Sequence, residues 1–283
     1  MTVLEGIQKS AEFLAKKGVE PPRLHAELLL AHLLKMPRMK LYLNFERSLT
    51  PGETDALREL VRRRGQREPL QHITGSTSFC GLEIAVNRHV LIPRPETELL
   101  AEAAWAFLST LNPQPSTALD FGTGSGCLAI AVAAKSPGAK IFALDVSAAA
   151  LALARQNAVA NQATSRIEFV ESDGFAALPS DSRFDLIVSN PPYIPTAEIE
   201  TLEPEVRDYD PRSALDGGTD GLDFYRRLAV EAGKFLKPAG KIMLEFGEGQ
   251  AAAIREIFEK QNWVVEAIRP DYTQRERILI ARL

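Results

Sequence analysis

The chain has 283 residues, 45% of them hydrophobic and 25% charged, and a formal net charge of −4. These proportions fit a folded globular protein with one large domain, or a large and a small one, and exclude long disordered tracts and the basic excess of a dedicated nucleic-acid binder. Cys80 and Cys127 stand apart from each other and from any histidine cluster, so both read as reduced and inert, and no metal site is expected.

The first residues carry Val3, Leu4, Ile7, Ala11 and Leu14 at helical spacing, with an acid at Glu5, which is not the pattern of a secretory leader. The apolar run ELLLAHLL is cut by Glu27, His32 and Lys35, well short of the ~18 residues a membrane helix needs. A cytoplasmic protein without a membrane partner is expected. One helix should end at Gly18, a second runs through PRLHAELLLAHLL, and a third starts at Thr50-Pro51-Gly52-Glu53, a capping box with proline at the first helical position. The arginines of RRRGQR (Arg62, Arg63, Arg64 and Arg67) read as a solvated helix end complementing the helix dipole, or alternatively as a contact for RNA or an acidic partner.

Between Ile73 and Ile92 the pattern changes to short extended segments around Gly81, read as a hairpin connector. A helix then starts behind Pro95. From about Ser116 short β-type runs alternate with helical ones: TALDFG, KIFALDV, RIEFV, FDLIVSN, KIMLEF, WVVEAI and RILIARL as strands, with CLAIAVAAK, AAALALARQNAVA and LDFYRRLAVEAGKFL as helices. This alternation predicts an open, mainly parallel sheet covered on both faces, with ligands beyond the carboxyl ends of its strands.

The first of these strands runs into Gly122-Thr123-Gly124-Ser125-Gly126, a turn that lets a ligand lie against bare peptide N–H groups; taken alone it is also a tight packing turn. The second strand ends at Asp145, placed to accept hydrogen bonds from ribose hydroxyls, while Ser147 can cap the following helix. The third ends near Asp173-Gly174, where Asp173 either meets the exocyclic amine of adenine or makes a turn. The glycine spacing is G-x-G-x-G, with Cys127 where the dinucleotide fingerprint has its third glycine, so an S-adenosylmethionine site fits better than an NAD site.

The fourth strand stops at Asn190-Pro191-Pro192-Tyr193, since prolines cannot continue a sheet. A planar amide or aromatic amine is a poor nucleophile. Hydrogen bonds from its NH₂ to the Asn190 side-chain oxygen and the Pro191 carbonyl would hold the nitrogen and raise its electron density, while Tyr193 stacks on the plane and excludes water. Catalysis is then positioning and charge complementarity, without a dedicated base.

The segments LIPRPETE, DFGTGSGCLAIA, SNPPYIP and EVRDYDPRSALDGGTDGL closely resemble the protein-glutamine N-methyltransferase family that modifies peptide-release factors, known as PrmC or HemK. The resemblance extends over almost the whole chain. It implies a Rossmann-like Class-I methyltransferase fold, a seven-stranded and mainly parallel α/β sheet, over residues 93–283. It also implies a helical substrate-recognition domain over 1–72 and a β-hairpin connector over 73–92. Gly122, Thr123, Gly124, Ser125, Gly126, Asp145, Asp173, Gly174 and Asn190 would hold S-adenosylmethionine. Asn190, Pro191, Pro192 and Tyr193 would hold the glutamine of a Gly-Gly-Gln loop in a class-I release factor, with Asn190, Pro191 and Tyr193 as the catalytic set.

Arg94 and Glu96 of RPETE either contact ligand or substrate or support the helix start, where Arg94 can pair with Glu98 and Pro95 and Glu96 can cap. Phe79 reads as a buried hairpin aromatic, with a place beside the substrate amide as the alternative. Gly174 stands where many relatives carry an aromatic residue against adenine, and Asp210 replaces a more usual glutamate. The long acidic segment from Ala197 to Gly221 reads as a lid or partner-binding loop. Rival acceptors are a ribosomal-protein glutamine and adenine, the latter disfavoured by the weak basicity, which also argues against a stable nucleic-acid partner. A non-catalytic adenosine-ligand sensor would have no need of Asn190 beside Tyr193.

Overall fold

The computed structural model describes residues 1–111 and 115–283. In chain order its helices and strands begin with α1 (Val3–Lys16), α2 (Pro22–Leu33), α3 (Arg38–Tyr42), α4 (Pro51–Gly65), α5 (Leu70–Thr74), β1 (Ser76–Phe79), β2 (Leu82–Ala85), α6 (Pro95–Thr110) and β3 (Ser116–Phe121). They continue with α7 (Cys127–Lys135), β4 (Ala139–Asp145), α8 (Ala148–Ala160), β5 (Ile167–Glu171), β6 (Phe184–Ser189), α9 (Pro204–Arg207), α10 (Asp223–Glu231), β7 (Leu236–Glu245), α11 (Ala251–Lys260), β8 (Val264–Pro270) and β9 (Glu276–Arg282). The chain divides into two compact units, one of Met1–Ser76 with Glu203–Tyr209, the other of Thr77–Leu202 with Asp210–Leu283.

In the first unit α1 and α4 both open on capping boxes, in which Thr2 and Thr50 accept from the N–H groups of Glu5 and Glu53 and the glutamates reach back. Their apolar stripes meet α2 in a core of Ile7, Leu14, Leu29, Leu30, Leu41 and Leu57. The short helices α3 and α5 are too brief to carry a periodic signal in the sequence.

The arginine cluster corrects the expectation of a solvated helix end. Arg62 pairs with Glu59 and Arg63 with Glu68. Arg64 is 3% exposed, and its guanidinium meets Glu205 at 2.7 Å, while Arg67 meets Glu203 at 2.7 Å and Glu205 at 2.6 Å. The acidic partner is therefore the chain's own Glu203–Tyr209 segment, further held by the Tyr209 hydroxyl donating to the Gln66 carbonyl at 3.1 Å. Buried guanidinium groups require such pairing, because leaving the charge unpartnered is costly.

In the second unit the sheet order is β5-β4-β3-β6-β7-β9-β8, all neighbours parallel up to β7, with β9 antiparallel to both β7 and β8. All seven strands expected from the apolar runs are present. Alternate residues of each strand feed two cores. Ala118, Leu186, Val188 and Met243 face α6, α7 and α8, while Leu119, Ile187, Ile242 and Leu244 face α10 and α11. Burial on both faces explains why these strands read as unbroken apolar runs. The order turns back at β3, with β4 and β5 on one side and β6 on the other, so the loops after β3 and β6 diverge and leave a crevice between them.

The hairpin β1–β2 belongs to this unit and is tied to the crevice by Asn157 of α8. That side chain is 1% exposed, accepts from the Ala85 N–H at 2.8 Å, and donates to the Ala85 carbonyl at 3.0 Å and the Ser125 carbonyl at 2.8 Å. Phe79 is 1% exposed in the core and is not placed beside the crevice. Among the described residues no helix is long and apolar enough to cross a membrane, and no group of His, Cys, Asp or Glu is arranged to hold a metal ion.

Candidate active site

A cavity of about 240 Å³ opens at the reversal point, walled by Gly122 to Ser125 on one side and Asn190 to Pro192 on the other. The glycine loop is shaped by its own backbone. Gly122 and Thr123 donate to the Leu144 carbonyl at 2.9 and 2.8 Å, and Gly126, at φ +80°, packs so closely on Ala154 that a side chain there would be strained twice over. Side chains added at Gly122 or Gly124 would meet nothing within 4 Å, so bare peptide faces open space there. Below the loop lies Asp120, 1% exposed, whose Oδ2 accepts from the Thr123 hydroxyl at 2.6 Å and the Ala129 N–H at 3.1 Å. Burial pushes its carboxyl up to about 7.

Asp145 closes the loop from the next strand. Its Oδ2 accepts from the Gly124 N–H at 2.8 Å and its Oδ1 from the Ser147 N–H at 2.9 Å, while Ser147 caps α8 through Ala150. Each carboxylate oxygen retains a further lone pair, and Asp145 lines the cavity. At the far end Asp173 and Gly174 also line it, but the Asp173 carboxylate is paired with Arg227 at 2.6 Å, and Arg227 Nη2 donates to the Asp173 carbonyl at 3.0 Å. The Arg227 guanidinium fills the space a side chain at Gly174 would need, with Nη2 at 2.2 Å from the position of a Cβ. A planar cation thus stands beside Gly174, and the aromatic rings that line the cavity are those of Phe121 and Phe224.

The shelf after β6 is braced on all sides. The Ser189 hydroxyl donates to the Phe121 carbonyl at 2.6 Å, Gln250 Nε2 donates to the Tyr193 carbonyl at 2.9 Å, and Ile194 pairs with the stretch Leu215 to Gly217. Asn190 Nδ2 donates to Thr97 Oγ1 of α6 at 3.0 Å. Asn190, Pro191 and Pro192 line the cavity, but Tyr193 does not: its half-buried ring packs with the α10–α11 core, and burial pushes its phenol up to about 12.

Arg94 lines the cavity, but its expected local pairing with Glu98 is not formed. Its Nη2 meets the buried Asp210 at 2.6 Å instead, and Glu98 accepts from the Cys80 N–H at 2.8 Å. Arg94 is the N-cap of α6, and Glu98 lies in its first turn on the side that meets the hairpin. Glu96 makes no side-chain cap and lies outside the cavity lining. Both thiols are pushed up to about 12, chiefly by burial, which keeps them protonated.

Two buried residues beside the shelf escaped the sequence reading, Thr97 and Glu245, which are 3% and 2% exposed. The signal for Glu245 is an acid inside the apolar run KIMLEF, between Leu244 and Phe246, where a carboxylate is seldom buried without a functional or pairing role.

Residues 5–75 match a family model described as the PrmC N-terminal domain, and residues 98–202 match the methyltransferase small domain. A release factor glutamine methyltransferase of Geobacter sulfurreducens is 47% identical over 259 residues, 92% of this chain and 89% of that one. Another of the same name, from Chlorobaculum tepidum, is 44% identical, covering 98% of this chain and 95% of its own. Among solved structures, the hMettl16 catalytic domain bound to an RNA hairpin superposes with a TM-score of 0.55 at 17% identity, covering 82% of this chain and 81% of that chain. A methyltransferase from Pyrococcus furiosus gives 0.51 at 23% identity, covering 71% and 88%, and likenesses at these identities speak for the fold alone. With relatives this similar over nearly its whole length, the chain belongs to the release factor glutamine methyltransferases.

Proposed function

We propose that this protein transfers the methyl group of S-adenosylmethionine to the side-chain amide nitrogen of the glutamine in the Gly-Gly-Gln loop of class-I peptide-chain release factors, in the cytoplasm. The observation that carries the reading is the facing of the open glycine loop and the Asn190 shelf across one cavity at the sheet's reversal point. The cavity suits the donor: bare peptide at Gly122 and Gly124, carboxylate lone pairs at Asp145, and a polar far end at Asp173, Gly174 and Arg227. When bound, S-adenosylmethionine supplies an electrophilic methyl group on sulfur.

The chain's own residues do the rest. Gly122 to Gly126 present N–H groups, Asp145 accepts from ribose hydroxyls, and Asp173 with Arg227 borders the adenine. Asn190 Oδ1 and the Pro191 carbonyl accept the two N–H groups of the glutamine amide, fixing the nitrogen and drawing its lone pair out of conjugation as it turns toward the donor. Pro191 and Pro192 keep the shelf rigid. The departing proton needs no dedicated base, since an N-methylated amide nitrogen bearing two hydrogens is strongly acidic. Tyr193 acts by backing the shelf from the core side. The first unit grips the body of the release factor, and Arg94, held by the buried Asp210, serves the site from the cavity wall.

The test is intact-peptide mass spectrometry of a purified release factor incubated with the protein and S-adenosylmethionine. A single methyl on the Gly-Gly-Gln glutamine, absent with Asn190→Ala, is expected. A factor left unmodified by protein that binds S-adenosylmethionine would move the acceptor to a ribosomal protein or a nucleic acid.

A further inference from the structure

S-adenosylmethionine carries more than its reacting methyl. Its amino-acid end is a zwitterion, an ammonium and a carboxylate joined to the sulfonium by a short aliphatic chain. On the function proposed above, which this reading presupposes, the sulfur lies beside Asn190, so the cavity meets a carboxylate a few bonds away from that shelf.

Two guanidinium groups line the cavity, Arg94 and Arg227. They belong to different ends of it. Arg227 is paired with Asp173, just beyond β5, whereas the shelf follows β6, and β4 and β3 lie between. Three strand intervals of ~4.8 Å separate the two ends by roughly 14 Å. The Arg227 donors are also engaged: Nη1 meets Asp173 Oδ1 at 2.6 Å, Nη2 the Asp173 carbonyl at 3.0 Å and Nε Glu231 at 3.4 Å.

Arg94 stands at the shelf. It is the N-cap of α6, its carbonyl accepts from the Thr97 N–H at 3.1 Å, and Thr97 Oγ1 accepts from Asn190 Nδ2 at 3.0 Å. One N–H of its Nη2 goes to Asp210 Oδ2 at 2.6 Å, and among the described residues its side chain makes no other hydrogen bond. The Arg94 side chain is 34% exposed and that of Asp210 only 1%. A buried carboxylate thus anchors one nitrogen of the guanidinium and leaves its remaining donors for a ligand.

The acceptor has no anion to offer, since a glutamine amide in a loop of glycines is neutral. We propose that Arg94 is a donor-binding residue whose guanidinium takes the α-carboxylate of S-adenosylmethionine. The pairing is charge-assisted and suits a planar fork. Because Asp210 already holds the side chain, little rotamer freedom is lost when the carboxylate arrives.

Calorimetry tests this without a release factor, by comparing S-adenosylmethionine with decarboxylated S-adenosylmethionine, which keeps the adenosine, sulfonium and amine. Wild-type protein is expected to prefer the complete donor by roughly tenfold or more. Arg94→Leu is expected to lose that preference, binding S-adenosylmethionine roughly tenfold more weakly and the decarboxylated compound within about twofold of wild type. Equal weakening toward both compounds would reduce Arg94 to a support of the helix start and overturn the proposal, as would wild-type protein that binds both equally. Arg94→Gln, polar and uncharged, decides by the same comparison if the leucine variant does not fold. Failure of the underlying function looks different: wild-type protein that discriminates between the two compounds yet leaves the release factor unmodified would keep this role for Arg94 and move the acceptor.

Discussion

The buried Glu245 at the end of β7 makes a prediction about stability that needs no substrate. Its carboxyl rises from 4.5 to about 7 on folding, because burial outweighs the favourable influence of the neighbouring polar and charged groups. A carboxyl raised in this way keeps its proton in the folded chain where the unfolded chain has released it. Its contribution to stability is complete below 4.5 and is lost as pH rises through about 7. At ~1.4 kcal/mol per pH unit across that window, the wild-type protein loses about 3 kcal/mol relative to a variant that cannot titrate there. Glu245→Gln is such a variant. Urea unfolding at pH 4.5 and pH 8, followed by the fluorescence of Trp105 and Trp263 in the second unit, should show the variant gaining about 3 kcal/mol on the wild type between the two conditions. Asp120, also pushed up to about 7, titrates in both proteins and cancels in the comparison. A difference independent of pH would mean that Glu245 ionises as an ordinary glutamate, and the reasoning from its burial would fail.

Further changes separate the cavity from the frame. Gly174→Ala places a Cβ 2.2 Å from Arg227 Nη2 at a backbone φ of +61°, so the guanidinium must leave. Calorimetry should show S-adenosylmethionine affinity falling roughly tenfold, with Arg227→Ala giving a similar loss and the double variant little more, since both remove one feature. Asn157→Ala leaves the Ala85 N–H and the Ala85 and Ser125 carbonyls without their partner, and should lower unfolding stability by about 3 kcal/mol in denaturant titrations.

What the sequence disclosed and what it hid follow from the range of the forces involved. Strands buried on both faces leave long apolar runs, and helix starts leave Thr50 with Glu53, or Ser147 before α8, because caps are satisfied within three residues. Pairings across the chain leave no such trace. Arg64 and Arg67 read as a solvated cluster because Glu203 and Glu205 are more than a hundred residues away. Arg94 was matched to the nearby Glu98, whereas its partner Asp210 comes from a distant loop. Asp145 was legible as a strand-end acid, but its engagement with the Gly124 N–H depends on how the glycine loop curls back. For Tyr193 the aromatic face was legible and its direction was not, because that is set by packing against the core of α10 and α11.

The polar groups of the site are not scattered through its loops. Asp120, Ser189 and Glu245 stand at or beside the last residues of β3, β6 and β7, and are 1%, 0% and 2% exposed. Only strand ends can carry such groups in a sheet covered on both faces, since a polar residue one turn of the pleat earlier would enter the apolar core. Their hydrogen bonds run between elements: Ser189 to the Phe121 carbonyl joins β6 to β3, and Asn190 to Thr97 joins the shelf to α6. The distance between glycine loop and shelf is therefore set by rigid strand ends, while the glycines only open space beside the backbone. Substitutions at the strand ends should act on turnover through the placing of the acceptor nitrogen, and substitutions in the loops should act on affinity for the donor.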